Sequence, residues 1–450
     1  VSAIDTIVAI STPPGRGGIG IVRLSGPEAR AIAEELVELR MPLEHARAKL
    51  AWVLDDGARI DEAVVTYFAA PNSYTSDELV EIAAHGSPVV LELLVRRALG
   101  HGARLAEPGE FTERAFLSGR MDLTQAEAVR DLIEAKTLAQ ARLAASQLGG
   151  ALSHRVQPVK RALMDLIALL EAGIDFAEDD IDVAAEEEIA RRIGDLVPPL
   201  EALAKSYAGG SVLHDGLTLA IVGRPNAGKS SLFNQLAERE RAIVTATPGT
   251  TRDLVTERIA IEGIPIELVD TAGVREALEE VEKIGIERTH EALADASLVL
   301  IVLDATAELN EDERLLIAAV EDRAAIVVRN KCDLFDASTP QQNVPGPLTV
   351  VNTSALTGHG LPELRAAILQ LATGGAAVET GALTTLRHRQ AVKQTLVALK
   401  KAAEANTMRI PHEMLLLDLY AALERIDELT GQTSNDTILN LIFSSFCIGK

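Results

Sequence analysis

Alternating and helical hydrophobic spacings divide this chain into a mixed first part, a helical stretch, a strand-and-loop module and a helical end. Ile7–Ile10 and Gly20–Leu24 alternate as short strands, with Gly15-Arg16-Gly17-Gly18 between them as a tight turn. Residues Pro27–Leu39 have the period of an amphipathic helix, and Glu78–Leu99 reads as a strand followed by a helix. From Asp122 the pattern is helical to about Ala208: Val129, Leu132, Ile133 and Ala135 recur at helix intervals, and Thr124 to Glu127 forms a capping-box signal. Gly209-Gly210 marks a hinge. Apolar runs then appear at Leu217–Val222, Ile264–Val269, Ala324–Val328 and Leu348–Val351, each ending in a polar loop, as far as Gly374-Gly375. Helical periodicity resumes at Leu386 and continues to Phe446. The expected fold class is multidomain α/β plus α. It comprises an N-terminal α+β domain over 1–118, a discontinuous helical domain over 119–210 and 376–450, and an α/β module inserted at 211–375.

The loops after those strands carry the chemistry. Gly223 to Ser230 reads as a phosphate-binding loop: glycines at both ends let successive N–H groups turn inward, Lys229 can reach the β and γ phosphates, and the Ser230 hydroxyl can hold Mg²⁺. The next strand runs into Asp270, Thr271, Ala272 and Gly273, which places a carboxylate near the Mg²⁺ shell and a glycine N–H near the γ phosphate. Asn330, Lys331, Cys332 and Asp333 follow a third strand, and the Asp333 carboxylate can accept two hydrogen bonds from guanine. Adenine lacks the 2-amino donor, so a site of this kind prefers GTP by roughly 1–3 kcal/mol or more. Asn352, Thr353, Ser354 and Ala355 would close over the base. Between the first two signals, Thr250 and Thr251 supply a sensor for Mg²⁺ and the γ phosphate, with Thr251 as the better ligand because Gly249 frees its loop. Position 274 is valine, which cannot orient an attacking water. Arg275, Glu276, Glu279, Glu280 and Glu282 are the polar residues nearby, and spacing does not choose among them.

The composition narrows the class. A chain of 450 residues with 47% hydrophobic side chains predicts about three domains with real cores. No apolar run approaches the ~20 residues of a membrane span, and the first residues lack a signal-peptide pattern, so a cytoplasmic protein with no membrane partner is expected. The two cysteines, Cys332 and Cys447, give neither a disulfide framework nor zinc spacing and should be reduced thiols. A formal net charge of −23 argues against nonspecific attraction to RNA, which would have to be held by a local basic patch or a partner subunit. The acidic run Glu178–Asp182 with Glu186–Glu188 is read as a solvated loop and helix start rather than a cation site.

Taken jointly, several segments resemble the bacterial tRNA modification GTPases usually called the MnmE or TrmE family. They are Thr12–Gly26, Asn72–Thr75, Gly109–Leu117, Asp122–Ala128, the nucleotide loops and the ending Phe446-Cys447-Ile448-Gly449-Lys450, and the resemblance covers essentially the whole chain. It implies that GTP is held by Asn226, Ala227, Gly228, Lys229, Ser230 and Ser231, by Thr245, Ala246, Thr247, Pro248, Gly249, Thr250 and Thr251, by Asp270 to Gly273, and by Asn330, Lys331, Asp333, Ser354 and Ala355. It further implies Mg²⁺ on Ser230 and Thr251, K⁺ on Asn226, Thr245, Thr247 and Thr250, and Glu282 orienting the water, with Lys229 and Cys447 also in the catalytic machinery. The G domains of a homodimer meet during turnover on this view. The N-terminal domain would dimerise and bind a 5,10-methylene- or 5-formyl-tetrahydrofolate through Arg23, Glu81 and Arg120, the last where lysine is usual, and Lys450 of the tail would contribute. With a flavoprotein called MnmG or GidA, which carries FAD and forms a heterotetramer with it, such a protein adds a carboxymethylaminomethyl or aminomethyl group to C5 of the wobble uridine of certain tRNAs.

Two other readings stand beside this one: a ribosome-assembly GTPase switch, which should carry a basic RNA-binding module, and a folate-dependent aminomethyltransferase with a regulatory GTPase. At the terminus, Cys447 is fourth from the end as in a prenylation box, but Lys450 and Gly449 fit that box poorly. Plain burial of the thiol is the third option there.

Overall fold

The computed structural model describes residues 5–175, 185–238, 256–270, 296–335, 343–376, 379–432 and 436–449. They divide into two compact units, one formed by 1–130 with 427–450 and the other by 131–426.

The first unit is built on a seven-stranded sheet of β1 (Ile7–Ile10), β2 (Gly17–Ser25), β3 (Val37–Leu39), β4 (Arg47–Asp55), β5 (Ala58–Phe68), β6 (Leu79–Gly86) and β7 (Arg104–Leu105). Their order is β3-β4-β5-β6-β2-β1-β7, antiparallel except for β1 with β7. One face buries Val22, Leu24, Val53, Val65 and Ile82 against α1 (Ala29–Leu36) and α2 (Pro88–Gly100). Period-2 alternation turns the intervening residues, Arg23 and Glu81 among them, to the other face. The amphipathic helix expected over Pro27–Leu39 stops at Leu36; Val37–Leu39 pairs with Ala51–Val53 of β4, because ladder hydrogen bonds outbid a further helical turn there. α3 (Glu110–Leu117), the start of α4 (Leu123–Glu134) and α13 (Asp436–Ser444) enclose Ala115, Leu123, Phe443 and Phe446.

α4 has a capping box, but two residues earlier than expected. The Asp122 carboxylate accepts from the Gln125 N–H at 3.0 Å, and Gln125 Oε1 accepts from the Asp122 N–H at 3.0 Å. Thr124 and Glu127 are instead buried within the helix.

The second unit joins a six-stranded sheet to long helices. β8 (Leu217–Val222), β9 (Thr256–Ile261), β10 (Ile264–Asp270), β11 (Leu298–Asp304), β12 (Ala325–Asn330) and β13 (Thr349–Asn352) lie in the order β13-β12-β11-β8-β10-β9, parallel except for β9. Leu298–Leu303 is buried throughout, as a parallel strand covered on both faces must be. α8 (Lys229–Glu238) and α10 (Leu361–Thr373) contribute to the core on one face, and α9 (Glu311–Ala319) to that on the other.

The helical part comprises α5 (Leu138–Leu148), α6 (Ala151–Asp175), α7 (Glu186–Asp215), α11 (Leu386–Thr407) and α12 (His412–Thr430). The expected hinge at Gly209-Gly210 is not a break: α7 runs through both glycines to Asp215. Gly210 is needed for close approach, since a Cβ there would lie 2.2 Å from the Leu383 carbonyl oxygen. Of the acidic stretch, 176–184 lies outside the described residues, whereas Glu186–Glu188 form the first turn of α7, where carboxylates favour the helix dipole. Among the described residues no helix is long and apolar enough to cross a membrane.

Helix and sheet meet at a polar joint. Thr137 caps α5 and donates its hydroxyl to the Gly263 carbonyl in the β9–β10 turn at 2.7 Å, while Gln140 Nε2 donates to the His214 carbonyl at 2.8 Å. His214 is held between Asp131, 3.1 Å from Nε2, and Asp215, 2.7 Å from Nδ1. Burial alone would lower its pKa, but the two carboxylates outweigh that and push it up to about 10. The folded value lies above the ordinary ~6.5, so this stabilisation is fully present below pH 6.5 and is lost as the pH rises toward 10. Urea denaturation between pH 6 and 10 should show wild-type stability declining over that window, and His214→Gln should be less stable at pH 6 with a flatter decline.

Candidate functional site

The C-terminal ends of β8, β10 and β12 lie along one edge of the second unit's sheet, where open α/β sheets bind their ligands. β8 leads into the loop Gly223–Gly228 and α8 begins at Lys229. Asn226 has φ 63° and Gly228 φ 92°, left-handed conformations that curl the backbone and leave N–H groups at the start of α8. A Cβ on Gly228 would also lie 2.1 Å from Asn330 Nδ2, so only glycine fits. Lys229, 8% exposed, crosses the loop to donate from Nζ to the Arg224 carbonyl at 2.8 Å. Asn226, Ser230 and Ser231 are exposed at the rim and Ala227 is buried beneath them. The donor set suits a polyphosphate with a hard cation on a hydroxyl: several N–H groups, one ammonium and the exposed Ser230.

The residues expected to read the base are tied directly to this loop. Asn330, 2% exposed, donates from Nδ2 to the Ala227 carbonyl at 3.0 Å and accepts at Oδ1 from the Ala355 N–H at 2.9 Å. Lys331 takes a left-handed backbone, φ 67°, and its ammonium lies 2.6 Å from Asp304 at the end of β11. Burial opposes ionisation of Asp304, but Lys331 and Thr306 outweigh it and hold that carboxyl below the usual range. Asp333 follows in a short 3₁₀ turn and is exposed, with a carboxylate of the kind that guanine requires. Ser354 is fully buried and accepts at Oγ from the Thr357 N–H at 3.1 Å, fixing the turn that carries Ala355. Asp304 has no motif of its own in the sequence; its position at a strand end, one strand from Asn330, is the only signal that could have found it. Asp270 ends β10. Thr245 to Thr251, Thr271 to Gly273 and Glu282 lie outside the described residues.

A second polar site sits on the first unit. Arg23 and Glu81 are cross-strand partners on β2 and β6, joined by hydrogen bonds of 2.7 and 3.0 Å from the guanidinium to one carboxylate oxygen. The Arg23 guanidinium is 5.7 Å from the Tyr74 ring centroid and 5.6 Å from that of Phe111; Arg120 is 5.4 Å from Tyr74 and donates to the Ser73 carbonyl. Two of the residues expected to hold folate, Arg23 and Arg120, thus meet at Tyr74, which spacing gave no reason to single out, and Glu81 joins them through Arg23. The Ser73 hydroxyl, buried beside them, has no hydrogen-bond partner among the described residues. These groups suit a planar heteroaromatic ligand with polar edges.

The C-terminal tail belongs to the same unit. Ile448 bridges Pro108, and Gly449 lies against Ile10 and Ser11. Cys447, immediately before these anchors, is exposed, so burial of its thiol is excluded; Lys450 lies outside the described residues.

Sheet order, phosphate loop and base-reading loop together define a P-loop guanine-nucleotide module, joined to a helical domain and to an N-terminal α+β unit. Residues 6–120 match the family described as "GTP-binding protein TrmE N-terminus", and residues 123–447 match "MnmE helical domain". A Koribacter versatilis protein named tRNA modification GTPase MnmE is 57% identical over 454 residues, covering 99% of each chain. Proteins of the same name from Geobacter sulfurreducens and Aquifex aeolicus are 42% and 40% identical, over 99% of this chain and 99% and 100% of theirs. The chain belongs to the MnmE family of tRNA modification GTPases.

Removing the amide that joins the two nucleotide loops leaves a carbonyl and an N–H unpaired, at about 1–3 kcal/mol. Asn330→Ala should therefore weaken binding of a fluorescent GDP analogue by about 10- to 100-fold, as measured by titration, with the helical content in circular dichroism unchanged.

Proposed function

We propose that this protein is a GTP hydrolase of tRNA modification. Its turnover, activated by potassium and by pairing of two G domains in a homodimer, would drive addition of an aminomethyl or carboxymethylaminomethyl group to C5 of a wobble uridine, in concert with a partner that carries FAD. The observation that carries the nucleotide half is the Asn330 tie, which holds the phosphate loop, the base-reading loop and the Ala355 turn in one arrangement. Family membership over the whole chain supports the tRNA half.

In this mechanism the N–H groups of Ala227 to Ser231 and the Lys229 ammonium hold the β and γ phosphates, and Asp333 accepts from the guanine edge while Ala355 covers it. Ser230 and Thr251 would hold Mg²⁺; Asn226, Thr245, Thr247 and Thr250 would hold K⁺. Such cations stabilise charge that develops between the β and γ phosphates, as an arginine does elsewhere. Glu282 would orient the attacking water, since Val274 cannot. In the first unit, Glu81 would pair with donors of a pterin ring and Arg23 and Arg120 with its polar or carboxylate parts, beside the Tyr74 ring. The domain plan that serves this reading is folate binding in 1–118, helices in 119–210 and 376–450, and the G domain in 211–375.

Lys229→Ala should abolish GTP binding, whereas Glu282→Ala should retain it and lose at least tenfold in kcat. Replacing potassium by sodium should slow the wild type to a similar degree. Unchanged turnover in sodium, read by phosphate release, would remove the cation from the mechanism, and normal wobble nucleosides in cells lacking the protein would remove the tRNA reading.

Calorimetric titration with 5-formyl-tetrahydrofolate should show binding that Arg23→Ala weakens at least tenfold; a wild type without affinity would exclude the folate site.

A further inference from the structure

With 66 acidic against 43 basic side chains, the mean field of this protein repels a polyanion. Helix α11 reverses that balance. Across Leu386–Thr407 it carries Arg387, Arg389, Lys393, Lys400 and Lys401 against the single carboxylate of Glu404. Val392, Thr395, Leu399 and Ala402 are buried at helical intervals. The opposite face therefore presents Gln390, Lys393, Gln394, Lys400 and Lys401, all exposed. At 3.6 residues per turn these five side chains fall within an arc of about 120°, which the exposed Val397 and Glu404 share, and span roughly 16 Å of the axis.

The stripe's lysines also lack local counter-charges, whereas several cations elsewhere are neutralised: Arg191 and Arg192 by Glu188, Arg59 by Glu38, Lys49 by Glu44. Lys393, Lys400 and Lys401 have no ion-pair partner among the described residues. A contact with phosphate would thus break no existing pair, and the lysine stems already lie on a rigid helix. The two glutamines add amide donors of the kind that bind phosphate and ribose oxygens.

We propose that the outer face of α11 is a docking surface for the phosphate backbone of the RNA on which this protein acts, with Lys393, Lys400 and Lys401 as the phosphate contacts. The proposal rests on the reading of the substrate as tRNA and adds where that RNA is held. Lysine is a point charge without the fork geometry that reads a base edge, so the surface supplies affinity and orientation rather than sequence choice. In an otherwise acidic protein it also selects the approach: RNA is attracted at this face and repelled over most of the remainder.

The test compares the full-length chain with the K393A/K400A/K401A triple variant, using unmodified tRNA labelled for fluorescence anisotropy in 50 to 200 mM potassium acetate without nucleotide. Three phosphate contacts contribute about 2 to 3 to the slope of log affinity against log salt, equivalent to roughly 20- to 40-fold in affinity across that range. The triple variant should lose that part of the slope and bind at least tenfold more weakly at 50 mM. GTP hydrolysis and the thermal melting curve should be unchanged, because the three side chains are exposed and unpaired. A triple lysine-to-arginine variant should restore the slope. An unchanged slope in the alanine variant, with the wild type binding RNA, overturns the surface alone. So does a variant that keeps the slope but no longer co-elutes with the FAD-carrying partner, which would assign the face to an acidic protein. A wild type without measurable RNA affinity overturns both this surface and the tRNA reading.

Discussion

The side-chain amide of Asn330 joins three loops that are far apart in the chain, donating to the carbonyl of Ala227 and accepting from the N–H of Ala355. An amide buried to this degree has to be satisfied at both ends, and only the two neighbouring loops offer the partners. Its position in turn dictates glycine at 228, where any side chain would collide with it. The loops expected to bind phosphate and to read the base are thereby one rigid constellation rather than two that happen to be close. Asp304 extends the arrangement by one strand, holding the Lys331 ammonium and with it the start of the base-reading turn.

The same sheet is fastened at its other end. The turn between β9 and β10 is held by Thr137 of the α5 cap, and α5 is held by Gln140 to the carbonyl of His214, whose ring lies between two carboxylates. β10 runs from that turn to Asp270, the last residue before the segment expected to meet the γ phosphate. A displacement of β10 along its axis therefore loads hydrogen bonds to the helices directly. Charge on His214 keeps those helices together, because the largely buried Asp131 carboxylate left without it would be an uncompensated anion.

Polar groups organise the first unit as well. Glu110 and Arg114, both nearly fully buried, pair with each other and with Arg104 and Asp5, locking α3 onto the edge of the sheet. Phe111 on that helix is then fixed beside Arg23, and the Arg23–Glu81 pair lies on the sheet face opposite α1 and α2. Neither Glu110 nor Arg114 would be placed in a core by its composition. They are there because each finds several partners that only the folded sheet edge brings together.

The sequence by itself determined four of the six strands of the nucleotide module, each a short apolar run ending in a polar loop, and it singled out the loops expected to hold phosphate and to read the base, since their chemistry is written in contiguous residues. It also determined the alternation that places Arg23 and Glu81 on one sheet face. Tertiary structure decided whatever depends on partners distant in the chain. β4 converts Val37–Leu39 from helix to strand. Asp122 and Gln125, rather than Thr124 and Glu127, cap α4. Gly209-Gly210 gives close helix packing instead of a hinge, and Tyr74 and Asp304 join polar clusters that no local spacing announces. The tail that bridges Pro108 leaves Cys447 exposed. The physical reason is common to all of these: local propensities differ by about 1 kcal/mol or less per residue, so a single buried hydrogen bond or close contact made across the fold is enough to overrule them.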